Sequence, residues 1–165
     1  MEVSPFDGRL IIHPAMEGYY PRLQFVGSTL SRDLPWLKAS FLGGVSPVLR
    51  LEALYAFDFT FAGDNNTDAQ RDDLRVGVGA DWKVKIPFLN ARAYFTIMPQ
   101  FYYRKIFDYP SNFKLSDFSG TLKKNNYQTS LIINTTYFHN KLQPLFVWMR
   151  DITGKGDLFK LMVSW

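Results

Sequence analysis

Only two imidazoles are present, His13 and His139, and both fall in or near turns, where solvated side chains are the rule. The chain has no Cys, so neither a disulfide framework nor a cysteine-based metal site can form. Serines and aspartates occur without a Gly-x-Ser-x-Gly elbow or a His-x-x-x-His spacing. A nucleophile beside a base, or a two-histidine zinc site, therefore has no foundation. No catalytic residue, metal or cofactor is assigned, and an enzyme is not expected. The carboxylates of Asp72-Asp73 and of Asp64 and Asp68 could hold a divalent cation at a loop rim; a solubilising loop is the plainer reading. Gly77-x-Gly79 lies mid-strand and is no phosphate cradle. What remains is a charged set, Arg50, Glu52, Arg75, Asp81, Lys83, Arg92 and Arg104, which could serve structural charge pairing or solute selectivity.

These residues sit at alternate positions along stretches with strand periodicity. Over 47–61, Leu49, Leu51, Ala53, Tyr55, Phe57, Phe59 and Phe61 form one unbroken apolar face, opposite Arg50, Glu52, Asp58 and Thr60. Over 71–86, Leu74, Val76, Val78, Ala80, Trp82, Val84 and Ile86 alternate with Asp73, Arg75, Gly77, Gly79, Asp81, Lys83 and Lys85. A strand over 91–106 sets Ala91, Ala93, Phe95, Ile97, Phe101 and Tyr103 against Arg92, Tyr94, Thr96, Gln100, Tyr102 and Arg104, with Pro99 suggesting a bulge or kink. A strand over 124–138 alternates Tyr127, Leu131, Ile133 and Tyr137 with Gln128, Ser130, Asn134 and Thr136. The stretch 142–151 has no readable sidedness. Alternation also begins near Tyr20, and 9–14 is a candidate short strand. Between Asp33 and Gly44 the rhythm breaks: Asp33 as N-cap, Pro35 in a first turn and Gly43-Gly44 as the stop predict a short helix or turn near 34–42, with a ninth strand as the alternative.

The final stretch is the most telling. Phe159, Leu161, Val163 and Trp165 alternate with Leu158, Lys160, Met162 and Ser164, and the chain ends on the aromatic residue. A strand of this kind is expected to close an outer-membrane β-barrel, its last aromatic in the interfacial girdle. Counting back from Trp165, the connections run 153–156 short, 139–141 short, 107–123 long, 87–90 short and 62–70 medium. Short periplasmic turns and longer extracellular loops give this rhythm. Trp165, 139–141, 87–90 and the 33–44 element then fall periplasmic.

Composition agrees. The 165 residues are one domain's worth, 15 Phe, 9 Tyr and 4 Trp supply two aromatic girdles, and no apolar run reaches the ~20 residues of a membrane helix. The net charge of +4 is spread rather than clustered, which argues against nucleic acid. The first five residues lack a signal-peptide pattern, so an exported chain is expected to be mature or partial. A soluble lipocalin-like barrel that binds a hydrophobe has the same period but turns its apolar face inward. The small residues on the charged face favour a filled lumen. A charge at mid-bilayer costs about 2–4 kcal/mol, so the charged set must line the interior and Phe159, Leu161, Val163 and Trp165 must face lipid.

The runs RDDLRVGVGADW, PFLN and ARAYFTIMPQFYY, with YPRLQFVGSTLS, VLRLEALYAF and the ending LQPLFVWMRDITGKGDLF, resemble a family of large, poorly characterised Gram-negative outer-membrane barrels known as a domain of unknown function. The resemblance covers about residues 20 to 165. It implies a porin-like protein of which this chain matches the C-terminal part, although the 33–44 insertion departs from the shorter turn expected. The expectation is thus an all-β, antiparallel, up-and-down transmembrane barrel of seven or eight strands in this chain, either closing on the 9–14 strand or continuing into a larger barrel. Its expected role is a passive conduit for small solutes in the bacterial outer membrane. The alternative is a non-conducting barrel that scaffolds envelope proteins. Expected partners are outer-membrane lipid, the barrel-assembly machinery and other envelope proteins.

Overall fold

Period-two alternation produces antiparallel strands through almost the whole described chain. The computed structural model describes Glu2–Val3, Leu10–Ile11 and residues 23–38, 44–64, 68–117 and 120–165. Glu2–Val3 (β1) and Leu10–Ile11 (β2) pair with each other as a separate two-stranded ladder. The remaining strands are β3 (Gln24–Asp33), β4 (Val48–Gly63), β5 (Asp68–Val84), β6 (Phe95–Ile106), β7 (Leu115–Asp117), β8 (Gly120–Leu122), β9 (Asn125–Asn134), β10 (Gln143–Asp151) and β11 (Gly156–Ser164). They form one nine-stranded sheet. Its frame is a meander in which β3, β4, β5, β6, β9, β10 and β11 each pair antiparallel with the next. The β7–β8 hairpin attaches to the far end of β4.

The sheet curls into a half-barrel. It does not close within the described residues. The expected closure on the 9–14 strand fails because β2 pairs with β1 instead, leaving β3 and β11 each with a ladder on one side.

Register fixes the faces, because partners in a ladder project to the same side. Leu51, Val78, Phe101 and Thr129 form one cross-strand row, and Leu131, Trp148 and Phe159 lie one row further along on the same, convex face. Arg50, Glu52, Gly77, Gly79, Tyr102, Gln100, Gln128 and Ser130 fall on the other side. That side is concave, since alternate residues of six neighbouring strands converge there around one cavity of about 850 Å³. Register also settles β10: Phe146, Trp148 and Arg150 are convex, while Leu145, Val147, Met149 and Asp151 are concave.

Several expectations are corrected. The 47–61 stretch is not one uninterrupted face. Opposite Asp72, β4 carries two residues, Phe57 and Asp58, so its register shifts between Ala56 and Phe59. Asp58 adopts φ 48°, its N–H donates to Asp72 Oδ1 at 3.1 Å, and the Tyr55 hydroxyl donates to Asp72 Oδ2 at 2.6 Å. A bulge re-aims the side chains beyond it. Phe59 and Phe61 therefore cross to the concave face, opposite Arg71 and Ala69.

Pro99 makes no bulge: β6 keeps its register through it, and only the ladder to β5 lapses between Gly79 and Trp82. The 33–44 element is a single 3-10 turn, Pro35–Leu37, with Pro at its start. Asp33 belongs to β3, and the capping position is Leu34, which makes no side-chain cap. Residues 39–43 lie outside the described residues. The 62–70 connection shrinks because β4 runs to Gly63 and β5 starts at Asp68, while the 107–123 loop contains the β7–β8 hairpin. β6 begins at Phe95, so Arg92 stands in the bend before it rather than on a strand.

Candidate functional site

The concave face gathers most of the predicted charged set. Arg50, Glu52, Arg75, Asp81, Lys83 and Arg104 share it, brought together by the β3-to-β6 ladders. Arg92 does not join them; its guanidinium lies 3.5 Å from His139 Nε2 at the short-turn end, where neither imidazole nor guanidinium is near the cavity. His13 lies outside the described residues.

The charges pair along the face. Arg50 bonds Asp81. Near the long-loop end, Asp73 is completely buried and takes two guanidinium groups at once: Arg75 at 2.7 Å and Arg104 at 2.9 Å. Arg104 is bidentate, with Nε and Nη2 both on the Asp73 carboxylate. Its Nη1 reaches away to Asp117 on the hairpin at 2.5 Å. Phe59 and Phe61, delivered by the β4 bulge, lie under this guanidinium at 5.8 and 5.3 Å to their ring centroids, and Arg75 lies 5.0 Å from the Phe59 ring. A planar guanidinium satisfies both demands, a forked pair at its edge and an aromatic face beneath.

Below this cluster the cavity lining mixes polar, charged and apolar side chains, Phe25 and Leu54 among the last. Thr29, Asn126, Gln128 and Thr121 line the cavity beside Glu52, Arg75 and Asp151. Tyr102 lies over its cross-strand partner Gly77, where an added Cβ would meet the ring at 3.4 Å, and its hydroxyl donates to Gln100 Oε1 at 2.8 Å. The missing side chains of Gly77 and Gly79 thus make room for Tyr102 and Gln100.

Residues 107–117 and 120–124 roof the long-loop end. They leave β6, cross the concave side of β5 and β4, pair with the outer edge of β4, and return to β9. Phe107 N–H donates to Asp72 O at 3.0 Å, Arg71 Nε to Asp108 O at 2.8 Å, and Asp64 N–H to Lys114 O at 3.1 Å. Ala62 pairs with Ser116 and Gly63 with Leu115. Beneath this roof Leu115 and Leu122 are buried against Phe61, Ala69 and Ile106, flanked by Phe59, Tyr109 and Phe113. The Tyr109 hydroxyl donates to Leu122 O at 2.8 Å. This is the main apolar core of the described chain, and it sits on the charged side of the sheet.

The carboxylates considered for a cation do not converge. Asp72 and Asp73 project to opposite faces of β5, one tied to Tyr55 and the other to two arginines, and no group of three or more potential ligands occurs among the described residues. Asp73 and Asp117 carry the network, although the charged set read from the sequence omitted both. Asp73 was legible, two residues before Arg75 on the same strand face. Asp117 was not, because a hairpin inside a polar loop carries no periodic signal.

On the convex face Phe159, Leu161 and Val163 lie together as expected, each more than half exposed, with Trp165 87% exposed at the chain's last position. Comparison of the chain with protein families, with curated proteins and with solved structures returns no match.

Proposed function

We propose that this chain forms part of a porin-like β-barrel of the bacterial outer membrane, its convex face against lipid and its charged concave face lining a passive conduit for small solutes. The observation that carries this reading is the convex face. Val26, Leu30, Leu49, Leu51, Val78, Phe101, Phe159, Leu161 and Val163 leave a continuous apolar surface exposed across the sheet. A solvated exterior does not tolerate so large a patch. A lipocalin-like barrel, which turns its apolar face inward, does not produce it.

Charged residues border this surface, and within it the polar side chains Ser28 and Thr129 are uncharged. Asp72, Lys105 and the Arg150–Asp157 pair mark the long-loop side, and Arg32 the short-turn side. Along β5 the apolar run from Leu74 to Val84 measures roughly 33 Å at ~3.3 Å per residue, which a ~40° tilt projects to about 25 Å, the height of an outer-membrane band. Aromatic contacts cluster at the long-loop border, where Tyr55 meets Phe57 and Phe107, and Tyr103 stacks on Tyr127 at 5.2 Å.

Cell fractionation tests the membrane part: recovery with outer-membrane fragments, released only by detergent, is expected, and a soluble periplasmic pool overturns it. Planar-bilayer recording tests the conduit, with discrete ion steps expected. The second reading, a sealed barrel that scaffolds envelope proteins, is favoured by one observation, the roof formed by residues 107–117 and 120–124. Absence of ion steps from a correctly inserted protein selects it.

A further inference from the structure

We propose that the concave cavity binds a neutral saccharide, a sugar ring resting on Tyr102 with its hydroxyls shared among Glu52, Gln128 and Arg75. The proposal rests on the conduit reading for its setting and adds the chemical class of solute that the conduit takes up.

Thr29, Glu52, Gly77, Tyr102 and Gln128 form one cross-strand row on the concave face. Gly77 is the gap in that row. The Tyr102 ring leans over the gap, with Cδ1 and Cε1 each 3.4 Å from where a Cβ would stand. No side chain from Gly77 covers the ring, and Tyr102 remains 39% exposed in the cavity wall. Its hydroxyl donates to Gln100 Oε1 at 2.8 Å, and the same oxygen accepts from the buried Ser130 hydroxyl at 2.9 Å. The ring is thus pinned before any ligand arrives, which removes part of the ordering cost of binding.

The groups around the ring are uncommitted. Glu52 and Gln128 make no side-chain hydrogen bond among the described residues, and Arg75, though paired with Asp73, keeps 37% of its side chain exposed. All three line the cavity with Tyr102. An ammonium ligand would suit Glu52 but meet Arg75 as a like charge. A carboxylate or phosphate would suit Arg75 and be repelled by Glu52. A hydroxyl both donates and accepts, so a polyol satisfies carboxylate, amide and guanidinium together. A sugar ring adds an apolar C–H face, which takes bare aromatic surface out of water. Phe25, 61% exposed on the concave side, supplies a second such surface in the same cavity. Water and small ions need no aromatic wall. From Thr29 to Gln128 the row crosses four strand spacings, roughly 19 Å at ~4.8 Å each. That length, in a cavity of about 850 Å³, fits a short oligosaccharide better than a single ring.

The test uses the full protein in an amine-oxide detergent, which carries no sugar of its own, with maltotriose, cellotriose and xylotriose as probes. Isothermal titration calorimetry is expected to show saturable binding of at least one of the three, and none of lysine or phosphate. Tyr102→Ala should weaken that binding about ten-fold, whereas Tyr102→Phe, which keeps the ring and loses only the bond to Gln100, should stay within about three-fold. Glu52→Ala removes an exposed side chain without a hydrogen-bond partner, so the fold is spared, and should also cost about ten-fold, the loss of a charge-assisted hydrogen bond. In planar bilayers the bound probe should reduce the ion current of the parent reversibly and that of Glu52→Ala only at higher concentration. Ion steps with neither heat nor block from any of the three probes overturn the saccharide site while the conduit stands. Binding of lysine or phosphate in their place overturns it as well, as does full affinity in Tyr102→Ala or Glu52→Ala. Saccharide binding without ion steps sinks the conduit and leaves the site.

Discussion

Asp73 is the residue on which the concave face turns. A fully buried carboxylate is tolerable only when its charge is met, and here two guanidinium groups meet it. Removing one partner of such a cluster is far more harmful than never having built it. Asp73→Ala should cost about 3–5 kcal/mol, because the largely buried Arg104 loses its bidentate carboxylate and keeps only Asp117 against its charge. Replacing both together, Asp73→Leu with Arg104→Met, should recover much of that loss. Denaturant titration of the refolded protein in detergent measures both, and a double variant no better than the single one would contradict the account. Gly154 gives a second residue-scale expectation. A Cβ there would collide with Asp151 Oδ2, on the carboxylate whose other oxygen caps the N–H groups of Thr153 and Gly154 in the β10–β11 turn. Gly154→Ala should therefore cost about 1–3 kcal/mol in the same titration, within the range for a lost local cap.

Between residue and sheet stands the element, and the elements were legible to different degrees. The alternation of 71–86 survives as β5 up to Val84, with Lys85 and Ile86 beyond its end, and the convex set Phe159, Leu161 and Val163 survives as one face of β11, since both depend only on local period. The apolar run ending at Phe61 did not survive. What reverses its last two aromatics is a bulge at Phe57–Asp58, held by Tyr55 and by Asp72 from the next strand. Nothing within the run announces a partner 14 residues away. Likewise the sidedness of β10 is absent from Phe146-Val147-Trp148-Met149, and only its ladders to β9 and β11 decide it. The site shows the same division. The arginines and their alternation could be read, whereas their anchors depended on long-range pairing and on a hairpin hidden in a polar loop. Facing is directly testable on β5 and β9. Val78→Arg, on the convex side, should cost about 2–4 kcal/mol of folding stability in lipid vesicles, while Gln128→Arg, on the concave side, should leave it nearly unchanged. Equal losses from the two would mean that the faces are misassigned.

At the scale of the whole molecule, charge and hydrophobicity are divided mainly by surface rather than by depth. Most exposed apolar area is on the convex face, with Phe25, Leu158 and Met162 exposed on the concave one, and the buried apolar cluster lies under the roof over one end of the concave side. Such a molecule should lose its fold when transferred from detergent to water, and circular dichroism on dilution below the critical micelle concentration reports that directly. The open sheet carries a further constraint. Seven meander strands, each opposed to the one before, leave β3 and β11 pointing the same way. Two copies inserted with the same sidedness could join edge to edge only through parallel seams, where the spacing of main-chain hydrogen bonds changes and short turns cannot connect the strands. An antiparallel ring needs an odd number of strands in the gap. If the half-barrel closes by antiparallel pairing alone, what completes it must therefore supply one, three, five or some other odd count of strands, with its outermost members running opposite to β3 and β11.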